Sequence, residues 1–247
     1  TYEKLTRMMR HAGQAYLLAG NRVTPFTEFP AMLHDMLCAI HSAKHHIHVQ
    51  FYIFMDDAVG RLLRDALIDK ARQGVKIRLL YDDVGSWKVK NRFFRDMVKE
   101  GIEVYPFGEV KFAALTRRVN YRNHRKLVIV DGQLGYIGGM NIAERYYKGF
   151  SWGGWRDTHI RIEGMAVNAL QTSFFVDWHY ASRMLVDEPV YFPKVERKGD
   201  TDMQIVTSYP MGEWKTIMQG LLQVISQSRR YLYIQTPYFM PTEPILM

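Results

Sequence analysis

Asn123-His124-Arg125-Lys126-Leu127-Val128-Ile129-Val130-Asp131-Gly132, followed shortly by Gly138-Gly139-Met140-Asn141, decides how the rest of the chain is read. The aliphatic run Leu127 to Val130 predicts a strand, with a histidine and a lysine two positions apart at its start. In a strand, residues i and i+2 share a face, so His124 and Lys126 point one way and Arg125 and Leu127 the other. A neutral imidazole attacks phosphorus to give a covalent phosphohistidine. A lysine beside it neutralises the charge that develops on the phosphoryl oxygens. Asp131 lies at an odd offset from His124 and faces away in a regular strand, which suits it to bonding backbone at the turn by Gly132. Gly138 and Gly139 allow close backbone approach to a phosphate, and Asn141 can donate through its amide. Such a grouping binds and attacks a phosphodiester without a metal.

A nucleophilic histidine needs its other ring nitrogen held by an acceptor. Asp157, in Trp155-Arg156-Asp157-Thr158-His159, is the candidate, and it is expected within hydrogen-bond reach of His124. The alternative for Asp157 is a solvated carboxylate at a strand end. His159 shares the face of Asp157 and is expected to line the same site. Lys111, Arg117, Arg118, Arg122, Arg125 and Lys126 lead into the motif with no acidic residue among them. A basic run is usually a solvated face, but one that ends on a nucleophile favours an anionic substrate.

Outward from the motif, element types alternate. Residues 31–45 read as an amphipathic helix, Ile47, Val49, Phe51 and Ile53 as a strand, and Val59 to Ala71 as a helix that Gly74 ends. Val75–Tyr81 is a strand, Phe93 to Val98 a helix, and Ile102–Phe107 a further strand. Helices between strands imply βαβ crossovers and a mainly parallel sheet. Beyond residue 120 the strands Lys126–Val130, Gly135–Ile137 and Thr158–Ile162 crowd together as antiparallel additions, before a long helix from Ala166 to Met184. The fold class is therefore α/β with a mixed, mainly parallel sheet. Residues 1–30 are weakly patterned and form an N-terminal segment. Residues 31–185 form the first domain, and 186–202, with Pro189, Pro193 and Gly199, a linker.

From residue 203 the pattern starts again. Ile40 to Gln50 and Ile225 to Gln235 share a helix-to-strand layout, with Ile, basic and Gln positions in step at an offset of 185. Residues 203–247 read as the truncated start of a second repeat, whose own histidine would fall at roughly position 309.

Composition sets the outer limits. The chain has 247 residues, 47% hydrophobic and 23% charged, which gives a packed globular core rather than disorder. Its single cysteine, Cys38, excludes an internal disulfide and fits a reducing compartment, and the helical period around it predicts a buried thiol. The net charge of +8 fits a polyanionic partner, either nucleic acid or anionic lipid. No apolar run is long enough to span a bilayer.

Weaker signals have ordinary readings. His41 and His45, spaced i and i+4, lack a carboxylate or thiol partner, and no metal site is expected. Tyr146, Tyr147, Phe150, Trp152 and Trp155 form an aromatic loop that either packs over the sheet end or meets lipid. The stretch Trp87 to Arg95 reads as an amphipathic helix on the sheet, with an interfacial helix as the alternative.

His124-x-Lys126-x4-Asp131 with Gly138-Gly139-x-Asn141 resembles the HKD motif of the phospholipase D superfamily. Gly20-Asn21-Arg22-Val23, Phe51-Tyr52-Ile53-Phe54, Tyr81-Asp82-Asp83-Val84-Gly85-Ser86, Asn120 to Lys126, Trp155 to His159 and Thr236-Pro237-Tyr238-Phe239 are similar to its bacterial cardiolipin synthases. The resemblance implies an α-β-α sandwich. It also implies two halves, each giving one histidine to a shared site, one attacking phosphorus and the other protonating the leaving alcohol. The activity implied is phosphatidyl transfer between two phosphatidylglycerol molecules with release of glycerol. A hydrolase acting on lipid or nucleic acid, or a half-enzyme that only binds anionic lipid or phosphate, is the alternative. Carried over, the catalytic set is His124, Lys126, Asp131 and Asp157, with Asn141, Gly139 and His159 on the substrate phosphate. No cofactor is implied. The partners are phosphatidylglycerol, a membrane surface, and the missing second half or a second copy in a homodimer, with nucleic acid unexpected. The implied location is the cytoplasmic face of a bacterial inner membrane, with the family's anchoring helices absent from this chain. Gly139 departs from the family's usual serine and removes one hydroxyl contact to phosphate.

Overall fold

The structure, a computed structural model, describes residues 2–109, 122–149, 153–209, 215–236 and 240–246. Lys111, Arg117, Arg118, Asn120 and Tyr121, Phe150 and Trp152 of the aromatic loop, and Pro237-Tyr238-Phe239 lie outside these residues. The chain divides into two compact units, Ala19–Thr201 and, separately, Thr1–Leu18 with Asp202–Met247.

The larger unit is a sheet with helices on both faces. Its strands are β1 (Leu18–Phe26), β2 (His46–Phe51), β3 (Lys76–Asp82), β4 (Glu103–Phe107), β5 (Leu127–Val130), β6 (Leu134–Gly138) and β7 (His159–Glu163). The order of these strands is β4-β3-β2-β5-β6-β7-β1. Helices α2 (Phe29–Ser42), α3 (Ala58–Arg72) and α4 (Asn91–Lys99) supply one layer, and the four-residue α5 (Arg145–Lys148) follows β6. Met32, Met36, Leu63, Leu67 and Met97 from that layer join Ile47, Val49, Phe51, Ile77 and Leu79 in one apolar core. The opposite face of β2, His46, His48 and Gln50, lies under α6 (Ala166–Ser182), whose Phe174 stacks on His48 at 4.7 Å. Covered on both sides, β2 is buried along its whole length, as a central strand between helix layers must be.

The sheet is mixed, but parallel pairing is confined to β2, β3 and β4. β2 with β5, β5 with β6, β6 with β7 and β7 with β1 are antiparallel, so the expectation of a mainly parallel sheet is corrected. The reason is local. β5 and β6 are joined by a tight turn in which Asp131 and Gly132 both take positive φ, leaving no room for a crossover helix.

Residues 1–30, weakly patterned in sequence, contain α1 (Glu3–Gly13) and strand β1. β1 has no clean alternation because it gains its conformation by pairing with β7, from Arg22 opposite Glu163 to Phe26 opposite His159. Part of the segment expected as a linker, residues 186–202, is held by packing. A 3-10 turn at Pro189–Tyr191 buries Tyr191 against His46, His48 and Phe175, with the Arg78 guanidinium 4.8 Å from its ring. Cys38 is exposed rather than buried: α2 turns Phe29, Met32, Leu33, Met36 and Ile40 inward and leaves Cys38 outside with His34.

In the smaller unit, α1 packs against α7 (Thr216–Gln227), with Met9 over Gly220, and Gln204 ties to the carbonyls of Thr6 and Ala15. A four-residue helix, α8 (Glu243–Leu246), follows. The segment expected to open a second repeat contains helix α7. Its strand, residues 231–235, joins no ladder, and Tyr231, Tyr233 and Ile234 are exposed. Among the described residues of this unit there is no counterpart of β3 or β5 to pair with it.

Candidate active site

Residues 122–126 lead into β5 without belonging to it, so His124 and Lys126 sit just ahead of the strand. The antiparallel register sets Leu127 opposite Gln50, and continuing it brings Tyr52 alongside the motif. The Tyr52 and His124 rings stack at 4.0 Å between centroids, and the Lys126 ammonium lies 5.8 Å from the same tyrosine ring. Lys126 also donates to the His124 carbonyl at 2.5 Å. The two motif side chains therefore meet one aromatic ring.

Electrostatics at this spot favour a neutral imidazole. His124 is held below the ordinary imidazole pKa, first by partial desolvation and then by the Lys126 charge, with Asp82 opposing. Burial likewise lowers Lys126, against the pull of Asp157.

Asp157 does not orient His124. Its Oδ1 accepts the Thr158 N–H at 2.7 Å, and no hydrogen bond links it to the His124 ring. It lies instead over Gly139, where an added Cβ would overlap Asp157 Oδ1. Gly138 is equally tight: a Cβ there would come 2.5 Å from the Thr158 carbonyl and from His159 Cα. The glycine pair thus lets the end of β6 close against the start of β7, and Gly139 N–H donates to the Thr158 carbonyl at 2.9 Å.

His159 is brought near Lys126 but is fully enclosed. Neither ring nitrogen has a hydrogen-bond partner among the described residues. Burial, reinforced by the Lys126 charge, lowers its pKa to about 3. A neutral, sealed imidazole cannot deliver a proton to a leaving group. Asn141 is buried as well: its Oδ1 accepts Ile53 N–H at 3.0 Å and its Nδ2 donates to Tyr146 Oη at 2.5 Å. It fixes the chain just beyond Tyr52 rather than facing out as a phosphate ligand.

Asp131 is removed from the catalytic set by its position at the far end of β5. Its carboxylate accepts the backbone N–H groups of Lys44, His45 and His46 at 2.8, 2.8 and 2.9 Å, which ties the α2–β2 connection to the β5 turn.

Two carboxylates with no role assigned from sequence reach the motif. Asp82, at the end of β3, accepts Asn123 N–H at 2.9 Å through Oδ2, and Val84 and Gly85 N–H through Oδ1. Asp177, in α6, accepts from the Asn123 and Arg125 side chains on either side of His124. The only sequence signal for Asp177 is an acidic residue on the buried stripe with Phe174 and Trp178. Asn21 caps α6 by accepting the Ala166 N–H at 2.8 Å, so the Gly20 to Val23 block helps to set that helix.

Residues 36–153 match the family described as "Cardiolipin synthase, PLD-like domain". The major cardiolipin synthase ClsA of Bacillus subtilis (strain 168) is 44% identical over 245 residues, 98% of this chain and 51% of that protein. A cardiolipin synthase of Geobacillus kaustophilus (strain HTA426) is 36% identical over 98% of this chain and 49% of its own length. The chain thus spans about half the length of these curated relatives. Among solved structures, NucT from Helicobacter pylori superposes with a TM-score of 0.51 at 15% identity, covering 65% of this chain and 98% of that one. Phosphatidylserine synthase from Haemophilus influenzae Rd KW20 superposes with a TM-score of 0.52 at 16% identity, covering 79% of this chain and 45% of that one. At these identities the structural matches speak to the fold alone.

Proposed function

Because this chain belongs to the phospholipase D superfamily, on the side of its cardiolipin synthases, we propose that it supplies the nucleophilic half of a phosphatidyl transfer between phosphatidylglycerol molecules. The observation that carries this reading is the exposed His124 ring, stacked on Tyr52 beside Lys126 and biased toward the neutral form. His124 attacks the phosphorus of one phosphatidylglycerol. The bond to glycerol breaks with its electron pair on the glycerol oxygen, which takes a proton, and a phosphatidyl-histidine remains. A hydroxyl of a second phosphatidylglycerol then displaces the histidine and gives cardiolipin. Lys126 steadies the phosphoryl oxygens in both steps.

Protonation of the departing glycerol needs a second acid. His159 is sealed, so the acid comes from outside this set: a second motif-bearing half, or His124 of a second copy in a homodimer. Losing a positioned acid costs on the order of 10² to 10⁴ in rate, so the chain by itself turns over weakly or not at all on natural lipid.

The surface beside the site suits an anionic bilayer. Trp87 is 74% exposed, with the Lys88 ammonium 5.8 Å from its ring, and Lys90, Arg92 and Arg95 are exposed nearby. The helix α4 buries Phe93, Phe94 and Met97 and leaves Trp87 outside it. Ser86, next to Trp87, accepts the Phe54 N–H, so this surface is attached to the strand end that carries Tyr52. Among the described residues no helix is long and apolar enough to cross a membrane. Work at the cytoplasmic face of a bacterial membrane would therefore use contact through this surface, together with any anchor elsewhere in the protein.

The test is product analysis with phosphatidylglycerol vesicles, using this chain and a longer form with both halves. Cardiolipin and glycerol in equal amounts from the longer form, abolished by His124→Asn, support the reading. Phosphatidic acid alone would make water the acceptor and the protein a hydrolase. Lipid binding with no product from either form would leave it a binding module.

A further inference from the structure

We propose that Asp177 is a positioning residue for His124, a role that rests on His124 being the nucleophile. Asp177 Oδ2 accepts three hydrogen bonds: from Asn123 Nδ2 at 2.7 Å, Arg125 Nη1 at 2.5 Å and Gln50 Nε2 at 2.7 Å. Two of these donors are the immediate neighbours of His124 in the chain. The third lies on β2, two residues before Tyr52. One carboxylate oxygen therefore joins the segment that bears the imidazole to the strand that bears the ring stacked on it.

The clamp is closed around residue 124. Asn123 is held a second time, through its backbone N–H, by Asp82 Oδ2 at 2.9 Å. Asn123 Oδ1 in turn accepts the Arg125 N–H at 3.0 Å, a short bridge that spans His124 itself. The segment lies outside the assigned β5 strand, and these side-chain bonds tie it down. Asp177 is 1% exposed, and its charge is matched by Arg125. A buried ion pair is a poor way to gain stability, because desolvation offsets most of the attraction. Placed under an exposed nucleophile, it fixes direction instead. A displacement of about 1 Å at a reacting group can cost on the order of 100-fold in rate.

The test separates positioning from general destabilisation. Asp177→Asn keeps the side-chain size but loses the charge, and its new N–H₂ faces donors. Leu67→Ala, in α3 on the other face of the sheet, is the control: it lowers stability without touching the clamp. Each variant is examined in the whole chain in two ways. NMR of the His124 imidazole gives its ring-current shift from Tyr52 and its titration midpoint. A phosphatidyl-p-nitrophenol substrate gives the rate of the first nitrophenolate burst, because that leaving group departs without an acid.

For Asp177→Asn the expected result is loss of the ring-current shift, a midpoint moved up toward ordinary imidazole, and a burst about 10- to 100-fold slower at unchanged amplitude. Adding Arg125→Gln, which makes the pair neutral and hydrogen-bonded again, recovers part of the rate. Leu67→Ala melts earlier with shift and burst rate unchanged. A wild-type shift and burst in folded Asp177→Asn, or an equal loss in Leu67→Ala, would overturn the proposal. If Asp177→Asn does not fold, Arg125→Met carries the test: a burst about tenfold slower supports the role and a wild-type burst overturns it. A burst that survives His124→Asn would instead remove the nucleophile reading on which the proposal stands.

Discussion

The Tyr52 ring lies flat on the His124 imidazole, 4.0 Å between centroids and 16° between planes. The stack fixes the plane of the imidazole and leaves its edge nitrogens pointing sideways, where a phosphorus atom can be reached. Tyr52→Phe keeps the stack and should react with an activated phosphodiester at close to the wild-type rate. Tyr52→Leu removes an aromatic contact of about 0.5–1.5 kcal/mol and should slow the same step roughly tenfold. Stopped-flow release of nitrophenolate compares the two. Equal rates for Phe and Leu would show that the stack is incidental.

The lowered pKa of His124 sets a pH limit. In the proposed mechanism the neutral imidazole is the nucleophile, and desolvation together with Lys126 keeps it neutral at a pH where an ordinary imidazole is already protonating. The acid limb of the burst rate should therefore lie below the ordinary value of about 6.5. Lys126→Met removes a cation and should move that limb up, even as it slows the reaction. A downward movement would assign the wrong sign to the Lys126 field.

The buried histidines predict acid sensitivity of the fold. His159 titrates at about 3 and His46 at about 4 in the folded chain, both because burial disfavours the cation. The unfolded chain takes up these protons below about 6.5 and the folded chain does not. Stability attributable to His159 is therefore intact above pH 6.5, falls progressively as pH is lowered, and is fully lost only near pH 3. The total is on the order of 3–5 kcal/mol. Melting temperatures measured across this range should drop steadily, and His159→Gln should flatten the slope. An identical slope in the variant would mean that His159 protonates in the folded state.

Gly139 is required by Asp157. A Cβ at this position would overlap the carboxylate, and since a side-chain end can swing aside, Gly139→Ala should fold with Asp157 displaced. A melting loss of about 1–3 kcal/mol is expected, as for an overpacked site. The Lys126 pKa should fall further, because Asp157 is the charge that raises it. Chemical denaturation and NMR of the Lys126 side chain check both outcomes. An unchanged Lys126 would show that Asp157 does not act on it.

Where sequence periodicity was strong, the structure follows it. The alternation that marks β2 and the 3.6-residue period of α3 come from apolar faces that any packing must bury. His124 and Lys126, two positions apart, both lie against the Tyr52 ring. β1 could not be read in this way: its Gly20, Asn21, Arg22 and Pro25 have no alternation, and it is a strand through its pairing with β7. Choosing among the carboxylates was harder still. Asp157 is near the motif through β7 but settles over Gly139, whereas Asp82 and Asp177 lie 41 and 54 residues from Asn123 and reach it through β3 and α6. Sequence spacing contains no signal for such an approach, and the Tyr81 to Ser86 similarity to relatives marked Asp82 without giving its role.

Mass spectrometry of the chain after rapid mixing with phosphatidyl-p-nitrophenol and an acid-free quench tests most directly whether His124 is the nucleophile. The leaving group needs no protonation, so the first displacement can occur without a second half. One nitrophenolate per chain, with a phosphatidyl adduct mapped to His124 and absent from His124→Asn, is the predicted result. An adduct on another residue, or a burst undiminished in His124→Asn, would contradict it.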